Sequence, residues 1–444
     1  MEMLTLGQVA GFIGAEMPAT PDLQICGICR DNRAVNSADI FVAIRGECCD
    51  GHDFLASAEA AGAVAAIAEH DVQGVSMPIL RVPNSITALG ALACGYRDMF
   101  SPRVVGITGS VGKTTTKEMI WAVLSEAFYT LKTQGNMNNE IGLPFTVLGL
   151  KNSHEAAVFE MGTNHFGEIS RLTRIAKPDV AVITAIGESH IEFLGSKEGV
   201  RRAKLEILEG LKPGGTLILN GDDMLLWDLR DTLDANIIYY GAENPDVQVF
   251  GTATREDFET TEFLVRELPR VKFTLPCGGA HNLKNALAAV AVGLHYGIDG
   301  AKIAAGISKF ANTGMRQHVT HVRDITILND CYNASPDSMR AALNVLKGAA
   351  GRRIAVLGDM LELGDASASA HFEIGRIAAQ CADIILAFGT FSGDVIAGAG
   401  TGRAFSDKDA LCTALLNEAR AGDSVLIKGS RGMKMEEICD RFDV

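Results

Sequence analysis

The chain has 444 residues, enough for about three domains that each bury a core. Its 40 basic residues stand against 54 acidic ones, and the resulting formal charge of −14 argues against nucleic acid or an anionic membrane surface as a partner. Met1–Ala10 carries Glu2 and no basic residue ahead of an apolar core, and no apolar run nears membrane-spanning length, so a cytoplasmic protein with no secretory leader and no membrane span is expected.

Residues 1–84 hold short strand-like pieces, Asp39–Gly46 and Ala63–Glu69, between turn-rich polar stretches, the texture of a small α/β unit. Four of the 10 cysteines fall here. Cys26 and Cys29 form a CxxC, but Cys48 and Cys49 are adjacent and no nearby His completes a tetrahedral set. Free thiols are expected, with Cys26 packed among Leu23, Ile25 and Ile28.

Residues 85–312 open with the stretch richest in chemistry. Val104, Val105 and Ile107 read as a buried strand and Lys117–Leu124 as a helix, and GITGSVGKTTTKEM joins them over Gly106–Met119. Glycines there let backbone N–H groups approach a phosphate, and the helix N-terminus adds positive potential, so a nucleoside triphosphate is expected to bind. In the general phosphate-loop mechanism Lys113 reaches the β and γ phosphates and Thr114 ligates Mg²⁺. The spacing departs from GxxxxGK[ST], since Ile107 stands where the first glycine belongs.

Further strands at Ala156–Phe159, Val180–Ile186 and Thr216–Leu219 argue for a mostly parallel sheet covered on both faces. Glu160 closes the first of them, where a phosphate-loop fold presents an acid to Mg²⁺. His190, flanked by Glu188 and Glu192, follows the second and can reach the same metal. Lys197–Leu211 reads as an amphipathic helix on which spacing alone makes Lys204 a solvated surface lysine. Over residues 313–444 the alternation restarts, with strands at Ile325–Leu328, Arg353–Leu357, Ile384–Ala387 and Ser424–Ile427 and helices at Ser338–Leu346 and His371–Gln380. The whole is read as α/β in three domains, the last one Rossmann-like.

Several long segments, in order, resemble the ATP-dependent Mur ligase family, which builds UDP-N-acetylmuramoyl peptides for the bacterial cell wall. They are TGSVGKTT, GNMNNEIGLP at Gly135–Pro144, EMGTNHFGEI, ESHIEFLGSKEGVRRAKLEI, and HNLKNALAA at His281–Ala289. The stretches NDCYNASPDSM, VLGDMLELG and VLIKGSRGMKME resemble the member that adds D-alanyl-D-alanine to the UDP-linked tripeptide, and the DNPR stretch of the diaminopimelate-adding ligase is absent. RDNRAVNSADIFVAIRG resembles the family's UDP-binding domain, with Asn32 in place of the serine of a DSR motif.

The resemblance implies roles for individual residues. Thr108, Gly109, Ser110, Gly112, Lys113, Thr114 and Thr115 match the ATP loop, and Glu160 and His190 match a two-magnesium site. Lys204 matches a lysine that the family carbamylates with CO₂. His281, Asn282 and Asn285 match adenine contacts, and Arg316 and Asp330 match contacts to the ATP phosphates and ribose. Asp31, Arg33 and Gly46 fall in the UDP-binding segment, while Asn138, Asn139 and Asn333 match the muramoyl-peptide side. The implied reaction phosphorylates the peptide carboxylate and passes the acyl group to the dipeptide amine, in a monomer. Another ligase of the superfamily (the UDP-muramoyl-dipeptide ligase or a folylpolyglutamate synthetase) and a regulatory phosphate-loop NTPase remain alternatives at this point.

Overall fold

The computed structural model describes residues 1–312 and 314–442. Residue 313, where the third region was expected to begin, lies outside the described residues, as do 443 and 444. The chain divides into two compact units, each assembled from several segments. The first takes Met1–Thr108, Phe128–Val182 and Leu205–Thr216; the second takes Gly109–Ala127, Ile183–Lys204 and Leu217–Val444.

In the first unit, strands Gly27–Cys29, Asp39–Val42, Ala65–Ala68 and Ile79–Arg81 form a parallel four-stranded sheet. Strands Asp39–Val42 and Ala65–Ala68 are buried along their whole length, as expected where both faces of a parallel sheet are covered. Phe41, Leu55, Ala58, Ala66 and Met77 pack into one core here. Cys26 does not join it. That thiol is exposed, because the residue lies between strands Gln24–Ile25 and Gly27–Cys29; Cys29 is the buried one, and its Sγ donates to the Asp31 carbonyl at 3.0 Å. Cys48 and Cys49 are exposed as well. The same unit holds strands Val180–Ile183, Arg103–Thr108, Ala156–Glu160 and Thr130–Lys132 in that order, the last three parallel.

In the second unit, helix Lys113–Ser125 packs on helices Ala280–His295 and Gly300–Ser308. Two glycines permit the approach. A Cβ on Gly306 would sit 2.6 Å from Val123 Cα, and one on Gly293 would sit 3.0 Å from Val123 Cγ1. Strands Thr216–Asn220, Asn236–Gly241, Val249–Glu256, Thr261–Val265 and Lys272–Leu275 run side by side. Asn236–Gly241 and Val249–Glu256 pair parallel, in keeping with the mostly parallel sheet expected, while the last three strands add an antiparallel edge that sequence did not indicate. The link between Val249–Glu256 and Thr261–Val265 is too short for a crossover, and Asp257 folds it by accepting the N–H groups of Glu259 and Thr260. Alternate burial along Thr261–Val265 marks a sheet with one wet face.

The carboxyl-terminal sheet of the second unit runs His318–Val322, Ile325–Asn329, Ser424–Lys428, Arg353–Gly358, Ile384–Phe388, Arg403–Phe405, parallel except for its first pair. The expected strands and helices are all present with ends moved by a few residues. Sequence pattern missed the half-exposed edge strands His318–Val322 and Arg403–Phe405, which lack a continuous apolar run. The helix expected over Lys197–Leu211 stops at Leu205 and continues as a 3₁₀ turn, Glu206–Gly210. Thr173 takes part of that turn's bonding, since its hydroxyl donates to the Ile207 carbonyl at 2.9 Å.

Candidate active site

Strand Arg103–Thr108 ends in the glycine loop, and helix Lys113–Ser125 begins immediately after it, earlier than the sequence indicated. Gly109 has φ +148 and Gly112 φ +81, conformations that side chains other than glycine seldom adopt. A Cβ at Gly112 would meet Asn285 Oδ1 at 2.6 Å. Gly112 caps the helix with no side chain over its first N–H groups, which leaves the helix end open to an anion. Lys113 Nζ folds back to the Gly109 carbonyl at 2.7 Å and the Ser110 carbonyl at 3.5 Å, so its charge lies over the loop. The loop fits a polyphosphate in all these respects.

Neighbouring loop residues are tied into the chain. Thr108 donates to the Met161 carbonyl at 2.9 Å and is fully buried. Ser110 Oγ accepts the N–H of Gly187 at 2.8 Å, and its own N–H donates to the Ala185 carbonyl. Thr114 is buried and Thr115 half-buried.

A second cluster joins the loop helix to the carboxyl-terminal sheet. Thr116 donates to Asn285 Oδ1 at 3.1 Å, Asn285 Nδ2 donates to Asn282 Oδ1 at 3.3 Å, and Asn282 Nδ2 donates to Gln317 Oε1 at 2.6 Å. Gln317 Nε2 meets His281 Nε2 at 2.8 Å. Burial holds the His281 ring down at about 4, with the Asp330 charge acting in the opposite sense. Asp330 accepts the Gln317 N–H and, at 2.6 Å, the buried ammonium of Lys428, which also donates to the Asn333 carbonyl at 2.9 Å. Arg316 lies over the Tyr332 ring, 3.7 Å from its centroid. Sequence reasoning missed Thr116, Gln317 and Lys428. Only Lys428 left a signal, a lysine closing the apolar strand Ser424–Lys428 just as Glu160 closes Ala156–Glu160.

The expected metal residues fall on different units. Glu160, in the first, is 1% exposed and accepts from Asn138 Nδ2 at 2.7 Å. In the second, His190 sits in the left-handed region (φ 61) with Nδ1 2.8 Å from Glu362 Oε2. Lys204 is 1% exposed, which overturns the surface lysine that spacing alone indicated. Its helix buries Val200 and Ala203, and the ammonium follows them inward. Among the described residues no three His, Cys, Asp or Glu groups converge as a ready metal cage. The buried Glu160 carboxylate is a hard oxygen donor of the kind Mg²⁺ takes.

The remaining candidates lie apart from the loop in the sequence. Asp31 and Arg33 pair at the surface, and the hydrogen bond from Arg33 holds the Asp31 carboxyl down at about 2. Gly46 N–H donates to the Cys49 carbonyl at 2.9 Å. Asn139 Oδ1 accepts from Ile141 and Gly142 at the start of helix Gly142–Val147, so its amide oxygen is already used locally. No helix among the described residues is long and apolar enough to cross a membrane.

Comparison with known proteins covers nearly the whole chain. The Mur ligase family catalytic domain matches residues 24–97, the Mur ligase middle domain 107–293, and the Mur ligase glutamate ligase domain 315–431. A relative from Bacillus subtilis, UDP-N-acetylmuramoyl-tripeptide--D-alanyl-D-alanine ligase, is 39% identical, with 93% of this chain and 92% of that protein aligned. A crystal structure of MurF from Acinetobacter baumannii superposes with a TM-score of 0.94 at 33% identity, covering 100% of both chains. MurF from Thermotoga maritima in complex with ADP gives 0.83 at 30% identity over 94% of this chain and 96% of that one. With an open phosphate loop, an α/β architecture of three recognisable segments and relatives of matching length, this chain belongs to the Mur ligase family.

Proposed function

We propose that the chain is an ATP-dependent ligase that adds D-alanyl-D-alanine to UDP-N-acetylmuramoyl-tripeptide in the cytoplasm, as a step of peptidoglycan synthesis. The observation that carries this is the uncapped loop helix with Lys113 folded over it, in a chain that aligns end to end with relatives of that name. The three domains are assigned as 1–84 for the UDP-linked substrate, 85–312 for ATP and 313–444 for the carboxyl-terminal closure. The substrate, the monomeric state and the compartment belong to the same proposal.

When bound, ATP supplies the phosphoryl group that activates the peptide carboxylate as an acyl phosphate, and two Mg²⁺ ions offset the charge of anion meeting anion. The loop N–H groups and Lys113 hold the phosphates. Thr114, Glu160, His190 and Lys204, the last as a carbamate made with CO₂, are assigned to the metals. Carbamylation would replace a cation by an anion, which would suit a deeply buried lysine assigned to hold a divalent ion. His281, Asn282 and Asn285 are assigned to adenine, Arg316 and Asp330 to phosphate and ribose, and Asn138, Asn139 and Asn333 to the peptide side. The dipeptide amine then attacks the acyl carbon and phosphate leaves. An acyl phosphate is lost to water, so a closed site has a clear purpose.

The assay is direct. Purified protein given ATP, Mg²⁺, D-alanyl-D-alanine and the UDP-linked tripeptide ending in either meso-diaminopimelate or L-lysine should release ADP only when both acceptor and amine are present. ADP release independent of either one sinks the ligase reading and favours a regulatory NTPase.

Asp31 and Arg33 give a separate expectation. Replacing both with Ala should weaken capture of the UDP-linked peptide by about tenfold or more while ATP affinity stays put, since an exposed charge pair contributes little to the fold. Calorimetric titration with each ligand checks this, and unchanged peptide affinity contradicts the assignment of residues 1–84.

A further inference from the structure

The hydrogen-bond directions around Gln317 are fixed by one backbone atom. The Gly278 carbonyl can only accept, so the Asn282 amide atom 2.8 Å from it is the nitrogen. That nitrogen also donates to Gln317, which must therefore present its oxygen. The nitrogen of Gln317 is left facing His281 Nε2 at 2.8 Å. An amide nitrogen has no lone pair to offer, so His281 Nε2 accepts and the ring proton sits on Nδ1. Turning the Gln317 amide over would set two donors against each other at Asn282.

Gln317 has a second attachment. Its backbone N–H donates to Asp330 Oδ1 at 3.2 Å, and it holds φ 46, a left-handed conformation uncommon outside glycine. A single residue thus touches the start of helix Ala280–His295 with its side chain and the end of strand Ile325–Asn329 with its backbone.

We propose that Gln317 is a positioning residue for the nucleotide: its amide sets the tautomer of His281 and the orientation of Asn282 and, with its backbone on Asp330, aligns both with the carboxyl-terminal sheet. This rests on the reading of His281, Asn282 and Asp330 as nucleotide-binding groups. Gln317 touches no reacting atom, so its loss should move ATP affinity and leave the chemical step alone.

Gln317→Met keeps the length of the side chain without the amide. Gln317→Gly removes the side chain but welcomes the left-handed backbone, which separates the amide from conformational strain. In ligand-free protein, ¹⁵N–¹H spectra should show the Nδ1–H form of His281 in the wild type and a tautomer mixture in both variants. KM for ATP should rise about tenfold in both, with kcat and the other two KM values within about twofold, the size expected for one lost buried hydrogen bond. An unmoved tautomer, an unmoved KM for ATP in either variant, or a fall in kcat alone overturns the proposal. Absence of ATP turnover in the wild type overturns the functional reading and the proposal with it, whereas normal wild-type turnover with an unmoved ATP KM in the variants overturns the proposal alone.

Discussion

Replacing Lys113 with Ala is expected to lower ligation by roughly a hundredfold to a thousandfold or more, the range seen when one preorganised charge-stabilising donor is removed. The geometry explains why the loss should fall on the chemistry. Lys113 is the first residue of its helix, and its ammonium is held over the loop by the carbonyls of Gly109 and Ser110. The helix end itself remains in the variant, so the phosphates keep their backbone N–H partners while losing the full positive charge. Lys113→Arg restores the charge but carries a broad planar head where a compact one sits, and should recover only part of the rate. Product formation by the purified variants, with circular dichroism to confirm the fold, decides the matter. Turnover of Lys113→Ala within a factor of about ten of wild type would refute the assignment.

The Lys204→Ala variant should be almost inactive and should regain part of its turnover when formate or acetate is added. The side chain is buried, so truncation leaves a hole, and a small carboxylate supplies the oxygen anion that a carbamate would have provided. Simple lysine chemistry predicts a different pattern, in which small amines and not acids restore activity. Wild-type protein prepared in ¹³C-bicarbonate should in addition show one carbamate resonance that Lys204→Ala lacks. Full activity of the variant without added acid excludes an essential role, and absence of the resonance excludes the carbamate.

Legibility in the sequence followed the periodicity of the residues concerned. Buried strands such as Arg103–Thr108 and Ala156–Glu160 have short apolar cores, Val104–Ile107 and Ala156–Phe159, that made them readable almost to the residue. The edge strand His318–Val322 is half-exposed, turns through the left-handed pair Arg323 and Asp324, and left no such run. Among candidate site residues the glycine loop carried its own chemistry, because Gly, Lys and Thr at that spacing have few other uses. Lys204 did not. Spacing set it beside the apolar face of its helix, and a charged side chain at such an edge reads as solvated, whereas the fold buries it together with Val200 and Ala203. Gln317 was invisible for a related reason: the role proposed for it lies in a backbone angle and in three partners, Asn282, His281 and Asp330, brought near by the fold.

The glycine-mediated packing of helix Lys113–Ser125 on helices Ala280–His295 and Gly300–Ser308 has a consequence for biosynthesis. The loop helix leaves the ribosome long before either partner exists. At about 5–20 residues per second, the interval before Ser308 is made is on the order of tens of seconds. During that time Val123, fully buried at the end and packed against Gly293 and Gly306, lacks the cover those two helices give it. The nascent chain must shield this stretch in transient contacts or in the grip of a chaperone, and a stalled or truncated product ending before Gly300 would present it to the cell as a sticky, degradation-prone surface.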